Sequence, residues 1–499
     1  MKKLTAIALN FLMISIATHA QTPAPDTVTA DWGQTQMISK TTLTLQVVVN
    51  PPMRRGTAMH DSIFSALHDL GCDYVRFVPW LPYPRLGVAE LQPPTKERTS
   101  WDFGVIDPIT LDFLNATQGH SVILNFSTIP AWMYKTDQPV TIPDDPYAVF
   151  WNYTQGSVPR DTTYGEIASY YARLYSWYTK GGFTDELGKR HESGYHYKVP
   201  YWEILNEVDF EHGNTPQSYT RLYDAVSAAI RKESPDTKFV GMALAYSDRP
   251  EWFEYFLDPR HHKSGTPLDM ISYHFYGSGS AEKVADVMQY TFWDQADGFL
   301  KGVKFIESIR KRLSPATKTT IDELGSILDN DNDVPDRKTP IPDTYWNLSG
   351  ALYAYTYLGL AHQGIDIVGE SQLVGYPTQY PSVSMINWKT GQPNARYWVL
   401  RLLKDNFGPG DKFVNCGLKG DEPNASDAIT LQAVATAKGN KLLLINKRNK
   451  TVRLVMPKEF KGAKIKVVDP STGDEKPAES EITDAPIELK PFAVAVVGG

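Results

Sequence analysis

The stretch Val199-Pro200-Tyr201-Trp202-Glu203-Ile204-Leu205-Asn206-Glu207-Val208-Asp209 decides how this 499-residue chain is read. Its first half is aromatic and aliphatic, as suits a strand buried on both faces of a parallel sheet. Such a strand would end by delivering Asn206 and Glu207 side by side, just before the polar run Asp209-Phe210-Glu211-His212-Gly213-Asn214. A carboxyl at the rim of an apolar strand is costly to ionise, so Glu207 is expected to hold its proton more firmly than an ordinary glutamate. A second stretch of the same design, Lys318-Thr319-Thr320-Ile321-Asp322-Glu323-Leu324-Gly325, delivers Glu323. Two strand-end glutamates point to two-carboxylate chemistry on a sugar, one group protonated and the other ionised.

Outward from these two stretches, β-rich runs alternate with amphipathic ones. Strands are expected at 43–49, 73–78, 121–127, 201–207, 238–243, 270–276, 318–323 and 364–370. Helical periodicity fills 61–70, 108–117, 164–179, 218–233, 281–313 (as a broken segment) and 347–362. Eight strands separated by helices predict an α/β fold, a (β/α)8 TIM barrel over residues 41–407. A doubly wound sheet is the lesser alternative, since no Gly-rich phosphate turn follows the first strand. Long loops at 79–94, 130–160 and 325–344, rich in Pro, Trp and Tyr, would rise from the barrel face where active sites are built.

Helical periodicity stops near Phe407. Short alternating runs at 428–434, 441–446, 451–456, 463–469, 487–489 and 492–497 predict a C-terminal antiparallel β-sandwich domain over 408–499. Residues 21–40 read as a linker, or as a strand that joins this sandwich. Residues 1–20 read as a secretory signal peptide. Lys2 and Lys3 precede an apolar run, cleavage is expected after Ala20, and the run is too short for a spanning helix. The mature protein is therefore expected to be secreted or periplasmic. Cys72 and Cys416, far apart in sequence, are read as separate thiols rather than a bridge.

A net charge of −7 gives no basic excess for nucleic acid or an anionic membrane. The chain holds 12 Trp and 27 Tyr, residues that build cores but also present flat faces to sugars. There is no zinc spacing, no Ser-centred nucleophile elbow and no dinucleotide turn, so no cofactor and no metal are expected. Asp329, Asp331, Asp333 and Asp336 alternate as in a calcium loop, yet the Gly and distal Glu of an EF-hand are missing. They are read as a solvated acidic loop.

The strand-four Asn206-Glu207 pair and the strand-seven Glu323 resemble the defining pattern of clan A glycoside hydrolases. Within that clan the chain looks most like family 39, the β-xylosidase and α-L-iduronidase group. Trp202 to Asp209 is similar to that family's acid/base segment, and Pro267-Leu268-Asp269-Met270-Ile271-Ser272-Tyr273-His274-Phe275-Tyr276 to its strand-six segment. The resemblance implies an exported retaining glycosidase acting on oligo- or polysaccharides, with Glu207 as general acid/base and Glu323 as nucleophile. It also implies that Asn206 hydrogen-bonds the sugar 2-hydroxyl, that Arg76 holds Glu323 ionised, and that His274 and Tyr276 flank the nucleophile. Arg76 could instead pair with Glu203, and His274 and Tyr276 could be satisfied core groups. Trp80 and Trp132 are candidate sugar platforms, or packing beneath loops. The chain departs from the pattern in two places. Strand eight closes on Glu370 and Gln372 where many relatives place Trp, and Val208 stands where many carry Pro. Exo action is the favoured expectation, with an endo-acting hydrolase or a non-catalytic carbohydrate-binding protein as alternatives.

Overall fold

A computed structural model describes residues 25–498 apart from 152, 154, 155, 333–339 and 421–424. The signal-peptide reading of residues 1–20, and Asp333 and Asp336, lie outside the described residues.

The first strand, β1 (Asp26–Ile38), belongs to the C-terminal sheet and not to the barrel. The barrel begins at β2 (Thr42–Val48), followed by α1 (His60–Leu70) and β3 (Val75–Val78). The short α2 (Pro84–Gly87) and α3 (Ile106–Ala116) lead to β4 (Val122–Leu124) and α4 (Gly165–Thr179). A small hairpin of β5 (Gly182–Thr184) and β6 (Arg190–Glu192) precedes β7 (Tyr201–Glu203). Then come α5 (Pro216–Glu233), β8 (Lys238–Leu244), α6 (Pro250–Phe256), β9 (Met270–Tyr273) and β10 (Phe275–Gly279). The barrel is completed by α7 (Met288–Leu313), β11 (Lys318–Leu328), α8 (Asp343–Gln363), β12 (Ile367–Glu370) and α9 (Ala395–Asn406).

The parallel strands run β2-β3-β4-β7-β8-β9, and β9 pairs with β11, which returns through β12 to β2. With β9 and β10 forming one interrupted strand, eight strands close the expected barrel. A closed parallel sheet has no free edge, and the helices cover its outer face. Trp202 shows the division of labour. It points outward onto Phe126, Tyr171 and Tyr175, while its neighbours Tyr201 and Glu203 face the barrel axis. Ile123, Tyr201, Val240, Met270 and Ile367 form a buried apolar cluster of their own, separate from the packing between strands and helices.

Three of these helices, α2, α6 and α9, go beyond the sequence reading. The helix α9 is one, although Asn394 caps it by accepting a hydrogen bond from the Arg396 N–H at 3.0 Å. The others, α2 and α6, are too short for periodicity to reveal. The segment read as a broken helix at 281–313 is broken: a 3-10 turn at Ala281–Lys283 is separated by turns at 284–287 from α7, which runs on from Met288. The strand expected at 201–207 stops at Glu203.

The C-terminal domain adds β13 (Lys412–Lys419), β14 (Ile429–Thr436), β15 (Gly439–Asn446), β16 (Val452–Val455), β17 (Lys464–Val468), β18 (Ala478–Glu481), β19 (Ile487–Leu489) and β20 (Val494–Val497). They form one strongly curled nine-stranded sheet with β1, in the order β18-β17-β20-β15-β14-β13-β1-β16-β19. Its pairings are antiparallel except β1 with β16, which is parallel, so the sheet is mixed. The curl encloses a separate apolar core that includes Val28, Val414, Leu442 and Leu454. Cys72 and Cys416 are free thiols. No described helix is long and apolar enough to cross a membrane.

Candidate active site

The strand ends on one face of the barrel are irregular, and each irregularity aims a side chain inward. After Glu203 the chain leaves β7 through Leu205 and Glu207, both with positive φ (66° and 40°). Left-handed backbone at a non-glycine residue costs about 1–2 kcal/mol, so the surroundings must hold it. They do so with three bonds. Asn125 donates to the Leu205 carbonyl at 3.1 Å, the Tyr219 hydroxyl donates to the Ile204 carbonyl at 2.9 Å, and the Met242 N–H donates to that hydroxyl at 2.7 Å.

In β11 the register with β12 slips between Ile321 and Leu324. Neighbouring side chains of a regular strand point to opposite faces, but at this bulge both Asp322 and Glu323 reach the same guanidinium. That guanidinium is Arg76, fully buried. It donates through Nη1 to Glu323 at 2.6 Å, through Nη2 to the Asn206 side-chain Oδ1 at 2.6 Å, and through Nε to Glu203. Gln46 also accepts from Nη1, and Asp322 lies 3.6 Å from Nε. The two sequence readings of Arg76, partner of Glu323 or partner of Glu203, are thus both satisfied at once.

Glu207 and Glu323 meet across the mouth. One oxygen of each, with a ring nitrogen of His274, lie within 4.8 Å of one another. His274 sits in the gap between β9 and β10, with Nδ1 at 3.0 Å from Glu207 and 3.5 Å from Glu323. Tyr276 donates its hydroxyl to Glu323 at 2.8 Å. Burial raises the pKa of Glu207 above the usual glutamate range, with His274 opposing. Burial disfavours a charged His274, but Glu323, Asp322 and Glu207 outweigh it and raise its pKa well above the ordinary imidazole value. Asp322 is held below the ordinary range. Burial opposes its ionisation, and Arg76 and His274 overcome that.

Glu207, Glu323, Asn206, Tyr276 and Trp80 line one cleft of about 450 Å³, with Arg76 and His274 directly behind. Trp132 is not among the lining residues. Its indole N–H bonds the Glu90 carbonyl at 2.8 Å and Arg160 covers its ring, so it is loop packing. The solvated-loop reading of the acidic run fails at Asp331, which is buried and accepts from the Ser382 N–H and hydroxyl at 2.9 and 2.8 Å.

Four contributors escaped the sequence reading. Glu211, whose side chain is 4% exposed, lines the cleft and accepts from Trp80 at 2.6 Å and Asn206 at 2.9 Å. Burial, then the nearby Glu207, raises its pKa well above the usual range. Its place one helical turn beyond Glu207 was the available signal. Asp322 was hidden because strict alternation puts it on the opposite face from Glu323. Trp151 and Tyr380 come from loops after β4 and β12 and pack with Trp80, ring centroids 5.5 to 5.9 Å apart, on the cleft wall. Nothing in sequence pairs rings so remote.

Glu207, His274 and Glu323 are also a possible metal-ligand set among the described residues. The chemistry around them fits an ion poorly. Arg76 already neutralises Glu323 at 2.6 Å, and a second cation would face that fixed charge and a readily protonated His274.

No protein-family model and no curated protein matches the sequence. Solved structures do match the fold. A family 51 glycoside hydrolase, an arabinofuranosidase from Xanthomonas axonopodis pv. citri, aligns over 95% of this chain and 99% of its own with TM-score 0.63 and 12% identity. A family 51 α-L-arabinofuranosidase from Bifidobacterium longum aligns over 96% and 100% with TM-score 0.62 and 15% identity. A family 30 endoxylanase from Clostridium papyrosolvens aligns over 95% and 99% with TM-score 0.55 and 15% identity. At such identities the likeness is one of fold, a parallel α/β barrel with an appended β domain.

Proposed function

We propose that this protein is a retaining glycoside hydrolase that works by double displacement, with Glu207 as acid/base and Glu323 as nucleophile. The observation that carries the reading is the approach of the two carboxyl groups, oxygens within 4.8 Å, with Arg76 on one and a raised pKa on the other. Retaining enzymes hold such groups about 5–5.5 Å apart, whereas inverting ones need about 6.5–9.5 Å to admit a water. The similar barrels of family 51 and family 30 enzymes support the class.

In the first step an ionised Glu323 oxygen attacks the anomeric carbon. The bond to the leaving oxygen breaks, and that oxygen takes the proton of Glu207. Arg76 and Tyr276 disperse the charge on Glu323 until it is shared with the sugar. Asn206 has one amide hydrogen engaged by Glu211, which leaves its second for the sugar 2-hydroxyl. In the second step Glu207, now a carboxylate, removes a proton from water. The water oxygen bonds the anomeric carbon and releases Glu323, and configuration is retained.

Exo action is the favoured form, supported by Trp80, Trp151 and Tyr380. Loops following three different barrel strands lock together through these rings and wall the cleft. The family 39 pattern at the strand ends supports a β-xylosidase-like specificity. The leader pattern of residues 1–20 supports export.

The test is a screen of aryl glycosides and oligosaccharides with product stereochemistry followed by NMR. Glu323→Ala should lose turnover while keeping its fold, and azide should restore product as a glycosyl azide. Wild-type rates in that variant would end the assignment. Glu207→Gln should lose about 10²–10⁴-fold on natural linkages and less on activated aryl glycosides. A chelator should leave the rate unchanged. Loss of activity restored by added metal would favour the Glu207–His274–Glu323 ion site instead.

A further inference from the structure

The turn that carries Glu207 continues into a feature that catalysis does not use. Phe210 donates its backbone N–H to the Glu207 carbonyl at 2.8 Å, lines the cleft, and exposes 62% of its surface, the largest exposure of any large apolar residue described. Beside it stands Tyr246, 42% exposed, with ring centroids 5.9 Å apart and planes at 86°. The two rings come from loops after different barrel strands, β7 and β8.

The pair is held by a dedicated support. The Asp209 carboxylate accepts from the Ala245 N–H at 2.9 Å and the Tyr246 N–H at 3.3 Å, which ties the second loop to the catalytic turn. Its side chain is fully buried, and Arg249 lies 3.8 Å from it. The same Arg249 covers the Tyr246 ring, 4.6 Å from the centroid. A buried acid and a stacked guanidinium therefore fix two aromatic rings in contact with solvent. Exposed apolar surface at the edge of a site is the mark of a binding surface.

We infer that Phe210 and Tyr246 form the platform for the leaving-group sugar, so that the substrate is a di- or oligosaccharide whose second ring stacks there. The inference rests on the glycosidase reading above. The proton on Glu207 goes to the leaving oxygen, so whatever departs lies on the Glu207 side, where these rings continue the cleft. A pyranose presents a face of C–H groups to an aromatic ring, and its hydroxyls remain in the water that both rings share.

The experiment compares wild type with Phe210→Ala, Tyr246→Ala and the double variant, each also carrying Glu323→Ala so that binding is measured without turnover. Xylobiose, cellobiose and laminaribiose, with the matching monosaccharides, are titrated by calorimetry. The double variant should weaken its best disaccharide about tenfold, well beyond its effect on the monosaccharide. Equal loss on both, or no loss on the disaccharide, overturns the platform, as does failure of every disaccharide to bind more tightly than its monosaccharide. Binding does not depend on hydrolysis, so an enzyme that binds disaccharides across the rings yet turns over none would sink the glycosidase reading and leave the platform standing.

Discussion

At the scale of single residues, Arg76 is the group whose loss is costliest. It is one buried cation facing Glu203, Asp322 and Glu323. Arg76→Met would take the guanidinium charge away from Asp322 and Glu323, and breaking a buried pair costs about 3–5 kcal/mol. The expected result is an unfolding free energy, read from urea titration, lowered by that amount at neutral pH and by less in acid, where the carboxyls protonate. Burial pushes Glu203 up to about 8, so it already carries a proton at neutrality and the cluster is not overcharged. His212 is the opposite case, a fully buried ring with neither nitrogen hydrogen-bonded and Nε2 3.9 Å from Glu211, its pKa lowered to about 4 by burial. Its folded pKa lies below the unfolded value, so its share of stability is complete above about pH 6.5 and is lost as pH falls toward 4. The slope is about 1.4 kcal/mol per pH unit in that window. His212→Leu should flatten this part of the stability curve and match or exceed wild type at pH 5. Thermal melts across pH 4–7 measure both, and an unchanged slope would mean the ring is solvated or paired in solution.

At the scale of elements, the strand ends and the helices behind them are coupled through close packing. Gly241 in β8 lies directly under α6 and α5. A Cβ there would come within 2.5 Å of Phe256 Cζ and 3.1 Å of Tyr223 Cε2. Both neighbours are buried rings with no room to turn. Gly241→Ala should therefore destabilise by about 1–3 kcal/mol through overpacking, read as a shift in denaturant midpoint. If the variant is neutral, α6 moves more freely than its packing indicates. The elements also mark the limit of pattern reading. Strands such as β2 and β8 are long apolar runs and were legible. The ends of β7 and β11 were not, because a strand's termination and a register slip depend on what the neighbouring strands offer. So Glu207, expected as the last residue of a strand, lies on a turn four residues past it. Asp322 went unseen because alternation assigns it to the wrong face.

At the scale of the whole molecule, the chain's start is built into its end. The strand β1 lies between β13 and β16 in the C-terminal sheet, and its departure would separate β16 and β19 from the other strands. A protein beginning at Ser39 should retain the barrel's secondary structure but lose cooperative folding of the second domain. Limited proteolysis should then cut within 412–497. Resistance equal to that of the full chain would show that β16 re-pairs without β1. The barrel itself leans on this domain, since Trp293 in α7 donates to the Lys447 carbonyl at 2.9 Å and Arg448 to that of Gln289 at 2.8 Å. Melting of the shortened protein should accordingly shift for both domains.

By itself the sequence determined the alternation of strands and helices, the closure into a barrel and the second β domain, and it singled out Glu207 and Glu323, although Glu207 lies four residues past β7 and Glu323 within β11. Those features follow from hydrophobic period and local chemistry, which a linear reading can see. The tertiary structure alone decided that Arg76 serves Glu203 and Glu323 together, that Glu211 and Asp322 join the cluster, that Trp80 and not Trp132 faces the cleft, and that β1 belongs to the far sheet. Each is a meeting of residues from remote segments, and the electrostatics of a buried site depend on the distances at which such residues meet rather than on their order in the chain.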